Sequence, residues 1–175
     1  MIPRLSSSRV LRRLGAFATI VMATLALYQC TVLPIRCSRE VWRSEQRLST
    51  SAEHDDRFYQ AGAANQTLTR LSACNARPLD VNVPMLIALS YRFLLRHDFA
   101  VRSYERALAI DRRPEIFLGL GMEQLQTGAR EAAVNTLFQA CSFDPRLLDA
   151  IEDGQARVEV RKRLIATYGE PWLTP

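Results

Sequence analysis

The chain has 175 residues, of which 48% are hydrophobic, and a formal net charge of +5 at pH 7. Arginines on both sides of an N-terminal apolar run supply much of this charge, and from Ser49 onward acidic and basic residues nearly balance. No basic stripe follows that could track a phosphate backbone, which argues against nucleic-acid binding. The sequence has no Cys-x-x-Cys pair, which argues against the common zinc and redox motifs.

The basic N-terminal arm, residues 1–13, precedes an uncharged run of 22 residues from Leu14 to Ile35. As a helix this run would be about 33 Å long, enough to cross a bilayer of ~30 Å. We therefore predict a retained transmembrane signal anchor over 14–35, with the N-terminus in the cytoplasm and the rest of the chain outside it. Two alternatives remain open: a signal peptide cleaved after Ala26, and lipidation at Cys30.

A juxtamembrane segment, 36–56, is predicted next. Ser38 to Leu48 reads as a short helix that leaves the membrane, with Trp42 at the interface. Residues 49–56 are polar and acidic and are predicted to form a linker or a weak first helix.

A spacing of 33 residues recurs three times between 57 and 145. Three positions carry it: Thr67, Ala100 and Ala133; Leu71, Tyr104 and Leu137; Cys74, Ala107 and Ala140. The first and third positions are mostly small, and the second is large and apolar, which predicts a helix-on-helix solenoid. The expected helices are 57–61, 64–76, 84–96, 98–110, 114–127 and 129–142.

Turn signals separate these helices. Gly128 can adopt a positive φ, and Gly62 lies at twice the repeat interval before it. Pro84 and Pro114 suit a first helical turn.

The last segment, 146–175, is predicted to cap the solenoid, because a terminal repeat needs a polar outer face. After an Asp153-Gly154 turn, a helix is expected over 155–168. Its apolar stripe is formed by Ala156, Val160, Leu164 and Tyr168.

The four cysteines predict no disulfide framework. Cys74 and Cys141 occupy nearly equivalent places two repeats apart, and stacked repeats would hold them beyond the ~7 Å Cα separation that a disulfide allows. Cys30 and Cys37 lie at the edge of the apolar run. We expect the cysteines to be small buried apolar side chains.

One stretch resembles a tetratricopeptide repeat, and its matching residues are Leu120-Gly121, Gly128, Ala133, Leu137, Ala140 and Asp144-Pro145. The unit from Ile87 to Asp111 is similar, but Leu95 replaces the turn glycine and Arg112 the closing proline. A first unit over about 48–80 matches more weakly. The resemblance implies an all-α, short α-solenoid of antiparallel helix pairs that binds other proteins.

No residue cluster predicts catalysis. His54 lies in the acidic stretch 53–56, which is expected to be a solvated turn. His97 is placed in an inter-helix turn, where Asp98 would be the N-cap of the next helix. We therefore predict no enzyme activity and no catalytic, cofactor-binding or metal-binding residue.

The resemblance implies that helix A of each repeat lines a concave groove. The candidate partner-binding residues are Met85, Leu89, Arg92, Leu118, Met122 and Leu125. This lining is largely apolar and suits an amphipathic helix, whereas a carboxylate clamp would place Lys, Arg and Asn at these points. The alternative is that the C-terminal helix covers this surface, or that it is ordinary core.

These observations predict a membrane-anchored scaffold of the bacterial cell envelope, located in the inner membrane, that binds membrane or envelope proteins. One alternative is an accessory subunit built permanently into a larger membrane complex. Another is an accessory enzyme domain in envelope glycan processing.

Overall fold

The computed structural model describes residues 20–28, 32–54, 56–75 and 80–170. All regular structure in these ranges is helical. The elements are α1 (20–27), α2 (Leu33–Ala52), α3 (Arg57–Asn75), α4 (Asn82–Phe93), α5 (His97–Leu108), α6 (Pro114–Gln126), α7 (Arg130–Phe143), the 3₁₀ helix η1 (Pro145–Ala150) and α8 (Gly154–Tyr168).

The chain divides into two compact units, 1–39 and 40–175. In the first unit, α1 carries large apolar side chains that are exposed, among them Ile20, Met22, Leu25 and Leu27. No described helix is both long and apolar enough to cross a membrane. The predicted span, 14–35, lies partly outside the described residues, because 14–19 and 29–31 are not among them.

Helix α2 is longer than the sequence predicted. It begins at Leu33, with Pro34 in its first turn, and runs to Ala52. The prediction of a short helix over 38–48 is therefore wrong in extent. Of the two alternatives for 49–56, the structure shows helix as far as Ala52. One face of α2 explains the extension, because Val41, Ser44, Leu48 and Ser51 are buried at helical spacing. Glu40 then joins α2 to α3 through a 3.3 Å contact with Arg70.

From α3 onward, each helix packs against the next one in the chain, up to α8. This nearest-neighbour pattern is that of a helical solenoid. The predicted register is confirmed, since every residue of the three repeat positions is at most 7% exposed. Small residues at the first and third positions allow the helices to approach closely, and Leu71, Tyr104 and Leu137 fill the space between them.

The turn signals hold in two of the three repeats. Gly128 has a φ of +82° between α6 and α7, as predicted. Leu95 occupies the equivalent turn between α4 and α5. Gly62 instead lies inside the continuous helix α3, so the predicted turn there is wrong. A glycine costs a helix interior only about 0.5–1 kcal/mol, so α3 continues through this position without a break.

The C-terminal segment closes the solenoid. The Asp153 carboxylate accepts a 2.6 Å hydrogen bond from the Ala156 backbone N–H and so caps α8. Ala156, Val160 and Leu164 are fully buried as predicted, while Tyr168 is 47% exposed. The three buried residues join one core cluster with α6 and α7 that includes Met122, Leu137 and Cys141.

The cysteine prediction is wrong for two residues. Cys37 and Cys74 are each disulfide-bonded, whereas Cys141 is a free, buried thiol. The sequence predicts a helix that begins at Ser38, whereas α2 begins at Leu33 and includes Cys37. Burial, with a smaller contribution from the negative charge of Asp144, raises the pKa of the Cys141 thiol to about 12.

Candidate functional site

A cleft of about 650 Å³ opens in the second unit, within the repeats. Three parts of the chain form it: the first turn of α3, the end of α4 with the turn that follows, and the last turns of α6. The three parts belong to three successive helix pairs, α2–α3, α4–α5 and α6–α7. The cleft is therefore a product of stacking and would not exist in a single repeat.

Large apolar side chains that line the cleft are exposed to solvent. Phe58 is 90% exposed and Leu95 is 66% exposed. Phe93 and Leu94, at the end of α4, also line the cleft and are partly buried. Exposed aromatic and aliphatic side chains that gather in one concavity mark a binding surface more often than isolated ones do.

The polar centre of the cleft is a buried carboxylate. Glu123 on α6 is 1% exposed, and one of its oxygens, Oε2, lies 2.8 Å from Nδ1 of His97. Its other oxygen, Oε1, lies 3.5 Å from Nε of Arg92. A buried carboxylate is stable only with such partners. These contacts link three helices, because Arg92 lies on α4, His97 on α5 and Glu123 on α6.

Arg92 extends the network outward. Its Nη2 lies 3.4 Å from Oε1 of Glu152, a residue that is 73% exposed. Arg92 thus bridges a buried and an exposed carboxylate. Because the second contact is exposed, it contributes little to stability.

The negative charge of Glu123 also acts on Tyr104, on α5. Burial, and secondarily the negative charge of Glu123, raises the pKa of Tyr104 to about 12. Its ring lies against α6 at Gly119, where an added Cβ would be 2.6 Å from Cζ. Gly119 is therefore needed for close contact between α5 and α6.

His97 reaches Glu123 because α5 begins at this residue. Arg96 occupies the capping position and makes no side-chain cap hydrogen bond, so the prediction that Asp98 is the N-cap is wrong. Asp98 lies inside the first turn, where its negative charge still favours the helix N-terminus.

The structure brings two of the six predicted groove residues, Arg92 and Met122, to this cleft. Met85 packs against the cluster of α4, α5 and α6. Leu118 and Leu125 pack against the C-terminal cluster, of which Met122 is itself a member. These contacts correspond to the alternative in which part of the surface is core. Partner binding by the six residues stays a prediction.

Four of the residues that line the cleft were not predicted as site residues: Phe58, Leu95, His97 and Glu123. The sequence contains one signal for Glu123, because Ser90 lies 33 residues earlier and is also polar. The structure shows that both positions are buried. The acidic partner of His97 was not predicted because the two residues are 26 apart in sequence. In the described ranges, no group of three or more His, Cys, Asp or Glu side chains could hold a metal ion.

Comparison with solved structures finds a similar fold. A thermophilic TPR protein from Thermus thermophilus matches with a TM-score of 0.57 and 24% sequence identity, over 90% of this chain and 77% of that one. The chain therefore has a TPR-like fold, an all-α helical solenoid. No protein-family model and no curated protein matches the sequence significantly.

Proposed function

We propose that the protein is a membrane-anchored interaction scaffold of the bacterial cell envelope, which binds a partner protein in the cleft between α3, α4 and α6. The observation that carries the proposal is the exposure of Phe58 and Leu95 in a concavity that three successive helix pairs build. TPR-like folds serve as protein-interaction modules, and an exposed apolar concavity is what such a module offers to a partner.

The cleft can be tested in cells by site-specific crosslinking. A photo-crosslinking amino acid in place of Phe58 should give a discrete crosslinked protein band. The matched control is Val158, which is 67% exposed and lies outside the cleft. Equal crosslinking from both positions, or none from position 58, would contradict the proposal. A stoichiometric crosslinked species that survives detergent purification would favour a permanent subunit of a larger complex over a scaffold.

The membrane anchor in this proposal is the apolar run 14–35. Its support is the basic arm before it and the exposure of the apolar side chains of α1, since apolar side chains around a whole helix suit a lipid environment. The chain should stay with the membrane fraction after an alkaline carbonate wash, and its N-terminus should begin at or near Met1. A soluble form that starts near Leu27 would instead indicate a cleaved signal peptide.

The location of the repeats outside the cytoplasm is supported by cysteine chemistry. A disulfide-bonded state, such as that of Cys37 and Cys74, persists in oxidising compartments and is rare in the bacterial cytoplasm. In protein extracted under denaturing conditions with free thiols trapped, Cys141 should be labelled, and Cys37 and Cys74 should be labelled only after reduction. Labelling of all three without reduction would contradict this location.

A further inference from the structure

The turn between α4 and α5 copies the turn between α6 and α7 with a leucine in place of a glycine. In the later turn, the N–H groups of Gly128 and Ala129 donate to the carbonyls of Leu125 and Gln124, at 3.1 and 2.9 Å. In the earlier one, Leu95 and Arg96 donate to Arg92 and Tyr91, both at 2.9 Å. Each bond lies 33 residues from its counterpart, so the two turns have the same backbone pattern.

Leucine is a poor choice for this backbone. Leu95 has a φ of +55°, and no other non-glycine residue in the described ranges has a positive φ. A side chain in the left-handed region is strained, and glycine relieves that strain at no steric cost. Packing offers little compensation, because the residue is 66% exposed. Strain of this kind is concentrated at functional sites, so the exposed side chain itself calls for a role.

The residues that share the cleft with Leu95 indicate what kind of partner side chain would bind there. Phe58, on α3, lines the same cleft and is 90% exposed. The single acidic residue among the described cleft residues, Glu123, is buried and already contacts Arg92 and His97. Arg57, by contrast, lines the cleft without an ion pair to any acidic residue that the structure describes. The accessible lining of the cleft is thus apolar with a positive charge beside it. The adjacent Asp56, whose Oδ1 accepts a 2.8 Å hydrogen bond from the Phe58 N–H, is not among the lining residues.

We propose that Leu95 and Phe58 together hold an apolar side chain of the partner, and that Arg57 pairs with a carboxylate next to that side chain. This inference rests on the proposed function and specifies its partner as a segment in which a large apolar residue is flanked by acidic ones. Binding then needs the side chain of Leu95, although the backbone at this position suits glycine. Apolar contact supplies affinity, and the charge selects among apolar segments.

Three synthetic 12-residue peptides test this chemistry by fluorescence anisotropy against the detergent-solubilised full chain. One carries leucines flanked by glutamates, the second has lysines in place of the glutamates, and the third has serines in place of the leucines. The glutamate–leucine peptide should bind at least 10-fold more tightly than either of the others. Arg57→Glu should abolish this preference. Equal binding of the glutamate and lysine peptides, or no binding of any peptide, would overturn the inference.

Two variants of Leu95 separate the strain from the binding role. Leu95→Gly should raise the melting temperature by about 2–4 °C and weaken the glutamate–leucine peptide at least 10-fold. Leu95→Ala keeps a β-carbon at positive φ, so it should weaken binding without raising the melting temperature. Val158→Ala, outside the cleft, should change neither quantity. If Leu95→Gly is more stable and binds the peptide unchanged, the role of Leu95 is refuted. Crosslinking from position 58 would still support the proposed function in that case.

Discussion

Leu137 packs directly against the α-carbon of Gly121. A β-carbon added to Gly121 would lie 2.6 Å from Cγ of Leu137 and 3.3 Å from the carbonyl oxygen of Ala133. The contact places α6 and α7 at the separation that the small repeat positions require. It also reverses the usual preference for alanine over glycine in a helix.

Gly121→Ala should therefore destabilise the domain by about 1–3 kcal/mol, the usual penalty for overpacking. The matched control is Gly62→Ala in α3, where an added β-carbon would meet no atom within 4 Å. That variant should gain about 0.5–1 kcal/mol, because alanine loses less backbone entropy than glycine. Denaturant unfolding of both variants measures the difference. Equal gains would show that α6 and α7 are farther apart than the structure has them.

The repeat register predicts a second pair of outcomes. Ala133 and Ala140 are fully buried, so Ala133→Leu and Ala140→Leu should each cost about 1–3 kcal/mol by overpacking. Ala132, the exposed neighbour of Ala133, should tolerate leucine within about 0.5 kcal/mol. Melting temperatures that are unchanged in all three variants would contradict the register.

Thr67 should be improved by a hydrophobic isostere. It is fully buried, and among the described residues its hydroxyl has no hydrogen-bond partner. Leaving such a group unsatisfied costs about 1–3 kcal/mol, so Thr67→Val should raise the free energy of unfolding by roughly 1 kcal/mol. In Thr69, the exposed control on the same helix, the hydroxyl donates to the Asn65 carbonyl at 2.9 Å. If Thr69→Val stabilises the protein and Thr67→Val does not, the conclusion that Thr67 carries a buried, unpaired hydroxyl is wrong.

Tyr104 predicts a loss of stability at alkaline pH. Its pKa is raised from 10.0 to about 12 in the folded protein, so an unfolded chain releases this proton first. The stabilising contribution is complete below pH 10 and is lost as the pH rises from 10 to 12. Thermal melts from pH 8 to 12 should show a smaller alkaline loss for Tyr104→Phe than for the parent protein. Tyr168→Phe, at an exposed tyrosine, should behave as the parent.

The fold was largely accessible to sequence reasoning because the 33-residue spacing reports a contact made three times. Thr67, Ala100 and Ala133 are all buried for the same packing reason, so each supports the assignment of the others. The first helix pair was harder to predict. Its α2 carries Ser51 on the buried face, within the polar stretch 49–56 that resembles a linker in sequence rather than core.

The cleft could not be predicted in the same way, because its polar residues are joined across repeats. Glu123 contacts Arg92 and His97, which lie in two other helices, and no local pattern links the three. Leu95 was noted as a departure from the turn glycine, but its positive φ is visible only in the backbone. The burial of residues that follow the repeat can be predicted from their spacing, whereas the contacts of residues that depart from it are seen only in the structure.

The sealed position of Cys141 has a consequence for how the oxidised protein can be handled. Thiol–disulfide exchange requires a thiolate as the attacking group, and burial holds the pKa of this thiol at about 12. At neutral pH the folded chain therefore carries, in Cys141, a nucleophile that is both protonated and out of reach. Exchange of this thiol with the disulfide-bonded sulfurs of Cys37 and Cys74 must wait for unfolding, so the rate of thiol exchange at Cys141 reports how often the core opens.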